Sequence, residues 1–130
     1  MGGTKMELAA YFKSVVDQDR SPVVICNTEH DIIYMNPTAI SRYAKSGGAE
    51  LIGQSIFACH NEHSQEIIKK VLAWFMESTE NNIMYTYKNP KENKDVYMVA
   101  LRDDNKNVIG YYEKHEYRDA ETAAAFRLEN

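Results

Sequence analysis

A chain of 130 residues is enough for one domain, and at that length about two-thirds of the unfolded surface is buried on folding, so no metal or disulfide is needed to close a core. Hydrophobic content of 44% with 11% aromatics excludes a disordered chain, and a net charge of −4 without a basic run excludes the electrostatic footprint of a nucleic-acid binder. No apolar run approaches the roughly 20 residues that cross a bilayer, and Cys26 and Cys59 make no secreted disulfide framework, so a cytoplasmic protein with no membrane part is expected.

Lys5 to Asp17 carries Leu8, Tyr11, Phe12, Val15 and Val16 at helical spacing, which predicts an amphipathic helix inside an N-terminal cap over residues 1–20. Pro22 to Cys26 and Asp31 to Met35 are β-branched runs of strand length, and the polar Asn27-Thr28-Glu29-His30 between them predicts a hairpin. Asn36-Pro37 stops the second strand, because a residue before proline is pushed out of the α region while proline suits the first turn of a helix. A short helix over Thr38 to about Ala44 follows, then a break at Ser46-Gly47-Gly48 and a turn or single helical turn over Glu50 to Phe57.

Glu62 to Ser78 gives the clearest helical pattern, with Ile67, Ile68, Val71, Leu72 and Phe75 as a stripe that would cover a sheet, and Trp74 off that stripe. Three strands follow at hairpin spacing: Ile83 to Lys88, Asp95 to Arg102 and Val108 to Tyr117. Apolar residues stand at both parities of the first two, so both faces of the sheet need cover, from the N-terminal helix, a second copy of the chain, or both. The remaining segment, 119–130, reads as a final helix capped by Asp119, or a tail, with Phe126 and Leu128 as its large apolar residues.

Helix, strand, strand, short helices, long helix and three strands are the element order of a PAS domain, and the local motifs agree with it. Ile32-Ile33-Tyr34-Met35-Asn36-Pro37 resembles that family's apolar run leading through Asn into its first helix. Leu51-Ile52-Gly53-Gln54-Ser55 resembles its Leu-Ile-Gly turn, and Asp104-Asn105-Lys106-Asn107-Val108-Ile109-Gly110 its last hairpin. The sequence departs from the family after the last strand, where the usual Asp-Ile-Thr is replaced by His115-Glu116-Tyr117-Arg118-Asp119. The resemblance implies an α+β fold over residues 21–118, with a five-stranded antiparallel sheet and helices on one face. It also implies a sensory, non-catalytic role: a small ligand or cofactor held between sheet and helices, with the signal passed through a homodimer or a partner protein. Since no output segment follows, either the chain is a piece of a longer protein or its output is a partner.

On that reading the expected ligand contacts are Tyr34, Ile40, Phe57, His60, His63, Leu72, Met98 and Tyr112, with the strand parities set by choice rather than by signal. The expected dimer interface is Leu8, Tyr11, Phe12 and Val15. Cys59-His60-Asn61-Glu62-His63 is the chemically densest segment. In haem-binding PAS domains an axial His commonly lies in the following helix, which leaves haem open through His60 or His63. The plainer reading is that Asn61 caps the helix. Flavin photochemistry is disfavoured, because Cys59 lacks the Asn-Cys-Arg-Phe-Leu-Gln context. A zinc site lacks ligands, since His30 and His115 belong to distant elements. The rival class is a ligand-free dimerisation module whose interior is closed by large side chains.

Overall fold

The computed structural model describes residues 7–128. In chain order it contains α1 (Leu8–Asp17), β1 (Val24–Asn27), β2 (Ile32–Met35), α2 (Pro37–Arg42), three single 3-10 turns between Ala44 and Cys59, α3 (Glu62–Glu77), β3 (Ile83–Asn89), β4 (Lys94–Arg102) and β5 (Val108–Tyr117). The strands form one antiparallel five-stranded sheet in the order β2-β1-β5-β4-β3. Helices α2 and α3 and the 3-10 turns lie on one face, as the element order predicted. Among the described residues no helix is long and apolar enough to cross a membrane.

Local chemistry sets the boundaries. Asn36 precedes Pro37 in extended conformation, and its side-chain oxygen accepts from the Ala39 amide, so α2 begins where the Asn-Pro pair requires. Asn61 does the same for α3 through Ser64 N. Ile68, Val71, Leu72 and Phe75 are the buried stripe of α3, and they meet Cys26, Ile32, Met35, Met98 and Tyr111 from the sheet in a single core. Trp74, off the main stripe, packs partly buried against that core.

The register fixes which residues share a face. On the inner face Cys26 pairs Tyr111 and Tyr111 pairs Ala100, while Glu113, His115 and Tyr117 of β5 stand opposite Met98, Val96 and Lys94 of β4. On the outer face one row crosses all five strands: Tyr34, Ile25, Tyr112, Val99 and Ile83. Both faces are thus apolar in part, as the strand pattern indicated.

At the two ends the expectations meet the structure only in part. Of the helix expected from Lys5, the described part starts at Leu8, and Lys5 and Met6 lie outside the described residues. Over 119–128 no helix forms. Phe126 and Leu128 remain 87% and 86% exposed, so this segment buries no apolar face, and so short a helix is marginal without one.

Candidate functional site

The inner face of β5 carries tyrosine, then two polar residues where a core strand would continue with apolar ones. Tyr111 is 2% exposed and belongs to the core. Glu113 and His115 follow with the same direction, and Lys94 of β4 faces them from its register position opposite Tyr117. Above them α3 supplies its apolar stripe only from Ile67 onward; its first turn, with His63 and Ser64, is polar. Sheet and helix therefore leave space unfilled, as two adjoining pockets, or lobes, that share part of one wall.

One lobe, about 290 Å³, is walled mainly by Val24, Cys26, Ile32, Met35, Leu51 and Ile56. The other, about 530 Å³, runs along Thr86, Lys94, Val96, Met98 and His115, with His63 and Ser64 above. His60, Ile68 and Glu113 belong to both walls. The first volume lies just under the range for small-molecule pockets, about 300 to 1,000 Å³, and the second in its lower half.

Glu113 lies deep in the fold, yet its side chain keeps 38% of its area open, and that open area faces the cavity. Burial holds its carboxyl above the usual carboxylate range, with His60 and Lys94 pulling weakly the other way. The His115 side chain is 7% exposed, and its Nε2 stands 3.8 Å from Glu113 Oε1, too far for a hydrogen bond. Its Nδ1 is buried with no partner among the described residues. Burial, followed by the charges of Lys94 and Arg42, pushes the imidazole down to about 4, against a smaller opposite pull from Glu92.

Lys94 is 3% exposed and, among the described residues, has only a shared counter-charge. Its Nζ is 3.6 Å from Glu92 Oε2, an oxygen that Arg42 already holds at 2.5 Å. The ring of Tyr117 lies 5.2 Å from the same ammonium. His60 is oriented by a bond 2.8 Å long between its Nδ1 and the Ile56 carbonyl. A carbonyl only accepts, so Nδ1 carries the hydrogen and, in the neutral ring, Nε2 keeps a free lone pair. Gln65 fixes the turn beneath by donating to the Phe57 and His60 carbonyls.

Of the eight residues expected around a ligand, His60 lines both lobes, and His63 and Met98 line the larger one. Leu72 is buried in the core, and Ile40 and Phe57 pack against its edge, with Phe57 stacked 4.4 Å from the His30 ring. Tyr34 and Tyr112 stand in the outer row, on the far side of the sheet from the cavity. Tyr34 donates instead to the carboxylate of Asp17 in α1. Sequence reasoning missed Glu113, His115, Lys94 and Tyr111. The alternation Tyr111, Glu113, His115 was the available signal.

Haem is the cofactor against which the site can be tested. His60 has the tautomer an axial ligand needs, with its other nitrogen held by a carbonyl. The surroundings do not fit: a tetrapyrrole exceeds the 290 Å³ lobe, and the 530 Å³ lobe would set Glu113, His115 and Lys94 against a porphyrin face that satisfies none of them. Among the described residues no three His, Cys, Asp or Glu side chains are grouped to hold a metal ion. Cys59 is exposed, and the buried Cys26 thiol is pushed up to about 11 by burial.

Comparison with known proteins agrees with this architecture. No curated protein matches the sequence. Among solved structures, a C-terminal domain from Streptococcus mutans superposes with a TM-score of 0.65 at 15% identity, covering 90% of each chain. A PAS domain from Colwellia psychrerythraea follows at 0.63 and 14%, covering 86% of this chain and 98% of that one. The Aer2 receptor of Vibrio cholerae, described as a dual PAS-haem oxygen sensor, gives 0.53 and 19% over 72% of this chain and 90% of that one. At these identities the likeness is one of fold. A PAS domain family model matches residues 20–113 of the sequence itself, and the chain therefore belongs to the PAS domain family.

Proposed function

We propose that this PAS domain is a sensory module that binds a small molecule between α3 and the inner face of the sheet and passes the signal on through protein contacts. The observation that carries this reading is the two-lobed cavity around Glu113, a carboxylate deep in the fold that no hydrogen bond within the described residues satisfies. A fold that served only as a scaffold would gain by filling this space with apolar side chains, whereas here a partly open carboxylate is aimed into it without a hydrogen-bond partner among the described residues. Family membership supports the same role. Ligand binding would act on α3 and on the turn that holds His60, because both line the cavity, and would bias the equilibrium between two arrangements of those elements.

Native mass spectrometry of protein purified from cells tests the reading, with gentle desorption compared against denaturing conditions. The expected result is a bound mass lost on denaturation and lost from Ile68→Trp, which fills the wall common to both lobes. Apo mass throughout, together with no thermal shift from any compound of a broad metabolite panel, would leave the sensing role without support.

A second reading has its own observation. Leu8, Tyr11, Phe12 and Val15 of α1 are 62%, 58%, 62% and 72% exposed, and no described part of the chain covers their stripe. We infer that this stripe and the outer face of the sheet seat a second copy of the chain. Sensing and dimerisation use opposite faces of one sheet, so they are compatible.

A further inference from the structure

We propose that the cavity selects a small zwitterion of amino-acid or dipeptide size, with its ammonium beside Glu113 and His60, its carboxylate toward Lys94, and an apolar side group in the smaller lobe. This inference rests on the sensing role proposed above and goes on to name the chemistry of the ligand.

The argument is one of charge and placement. Glu113 stands at the junction of the lobes, and Lys94 belongs to the larger lobe only. Their strand positions are four residues apart in register, because Lys94 pairs Tyr117, which is about 13 Å along the strand before the two side chains reach toward each other. His115 lies between them. The larger lobe therefore has an acceptor end and a cationic end, and the smaller lobe opens from the acceptor end with aliphatic walls.

At the acceptor end Glu113 and the Nε2 lone pair of His60 both seek a donor, as an ammonium is. At the other end Lys94 has only the oxygen of Glu92 that Arg42 also holds, so a ligand carboxylate would give it a counter-charge of its own. His115 lies between the two ends with its Nε2 turned to Glu113 and its Nδ1 enclosed, so Lys94 alone supplies the cationic end.

Other ligand classes leave one group uncompensated. A fatty acid would satisfy Lys94 only by laying its chain across Glu113, or would fill the apolar lobe with its carboxylate against that of Glu113. An amine alone would leave Lys94 as it is. A neutral apolar molecule would fill the smaller lobe and exclude water from Glu113 without replacing it, which costs binding energy.

The test compares capped and uncapped forms of one compound on the full chain by isothermal titration calorimetry and thermal shift. The probes are leucine, leucyl-leucine, their N-acetyl and C-terminal amide forms, and hexanoate. Expected is binding of at least one uncapped zwitterion, weakened roughly tenfold or more by capping either end, as for a lost charged hydrogen bond. Glu113→Gln should abolish the discrimination against the N-acetyl form while keeping that against the amide, and Lys94→Gln should do the reverse. The comparison of capped probes on the unaltered chain stands even if a variant fails to fold.

Capped forms or hexanoate binding as well as the zwitterion would overturn the inference while leaving the sensing role in place. No response to any of these probes would also overturn it. Only the absence of every bound species, including in the native mass spectrum, would remove both.

Discussion

Asn36 is a fully buried amide with every hydrogen-bonding position used. Its oxygen accepts from Val23 N and Ala39 N, both at 2.9 Å, and its nitrogen donates to the carbonyls of Val16 and Ser21 at 2.9 and 3.0 Å. One side chain thus ties the end of α1, the lead-in to β1 and the cap of α2 together, which is why the Asn-Pro pair is more than a strand stop. His115 is the opposite case, a buried side chain with an unmet nitrogen. Its imidazole is pushed down to about 4 from an ordinary value of 6.5. As pH falls through 6.5 the unfolded chain takes up a proton that the folded chain resists until about 4, so between those values the unfolded state binds more protons and folding stability drops with pH. The loss from this residue between pH 7 and 4.5 is about 2 kcal/mol. Glu113 works in the other direction, since its raised carboxyl is protonated in the folded state first and relieves a buried charge. Comparing the parent with His115→Gln removes these shared contributions. Urea titrations at the two pH values should show the variant losing about 2 kcal/mol less than the parent, and an equal loss would mean that His115 is solvated and titrates normally.

At the level of elements, the motifs that identified the fold have specific mechanical reasons. Gly53 in the Leu-Ile-Gly turn has φ +95°, and its amide donates to Ile32 O at 2.7 Å while Ile32 N donates to Gln54 O at 2.9 Å, so the turn closes against β2. Gly110 in the last hairpin needs no special φ; it pairs Asn27, and a Cβ there would overlap the Cys26 carbonyl oxygen. Arg102 at the end of β4 donates to the carbonyls of Phe75, Ser78, Asn81 and Lys106 and to the side chain of Asn82, which closes the last turn of α3 without a glycine cap. These contacts were legible only as motif residues, because sequence gives the type of residue and not what approaches it. The Gly110 contact gives a sharp test. Gly110→Ala must push β1 from β5 at the centre of the sheet, so we expect a stability loss of about 3 kcal/mol, at the upper end for overpacking, and faster amide exchange in β1 than in β3. A loss under about 0.5 kcal/mol, the scale of an ordinary surface change, would mean that the two strands can separate freely there.

For the molecule as a whole, element order and the hairpins within each half could be read from periodicity and punctuation, the single sheet with helices on one face followed from the family resemblance, and the site could be read only in part. Tyr111 and Tyr112 are adjacent and chemically alike, so nothing in the residue types says which faces inward, and a one-residue choice moves the contact to the other face. The register resolves it: Tyr111 pairs Cys26 within, and Tyr112 pairs Ile25 without. The same choice of parity left Glu113 and His115 out of the expected contacts, although they follow Tyr111 on the inner face. Tyr34 and Tyr112 belong to the outer row, Tyr34, Ile25, Tyr112, Val99 and Ile83, which joins α1 through the Lys13, Asp17 and Tyr34 contacts. Ile83 at 59% exposure, on the edge strand β3, and the α1 stripe, beside the opposite edge strand β2, are both exposed apolar surface, and such surface marks a binding face more often than a bare one. A homodimer through both surfaces predicts that Phe12→Asp and Ile83→Asp, residues of different elements, each convert the chain to a monomer in sedimentation equilibrium. Both side chains are exposed, so thermal stability measured at low protein concentration should hold within about 0.5 kcal/mol, while at high concentration the parent alone should gain stability by mass action. A parent that sediments as a monomer at high concentration would refute the dimer, and dissociation by Phe12→Asp alone would confine the interface to α1 and free the sheet face for a different partner.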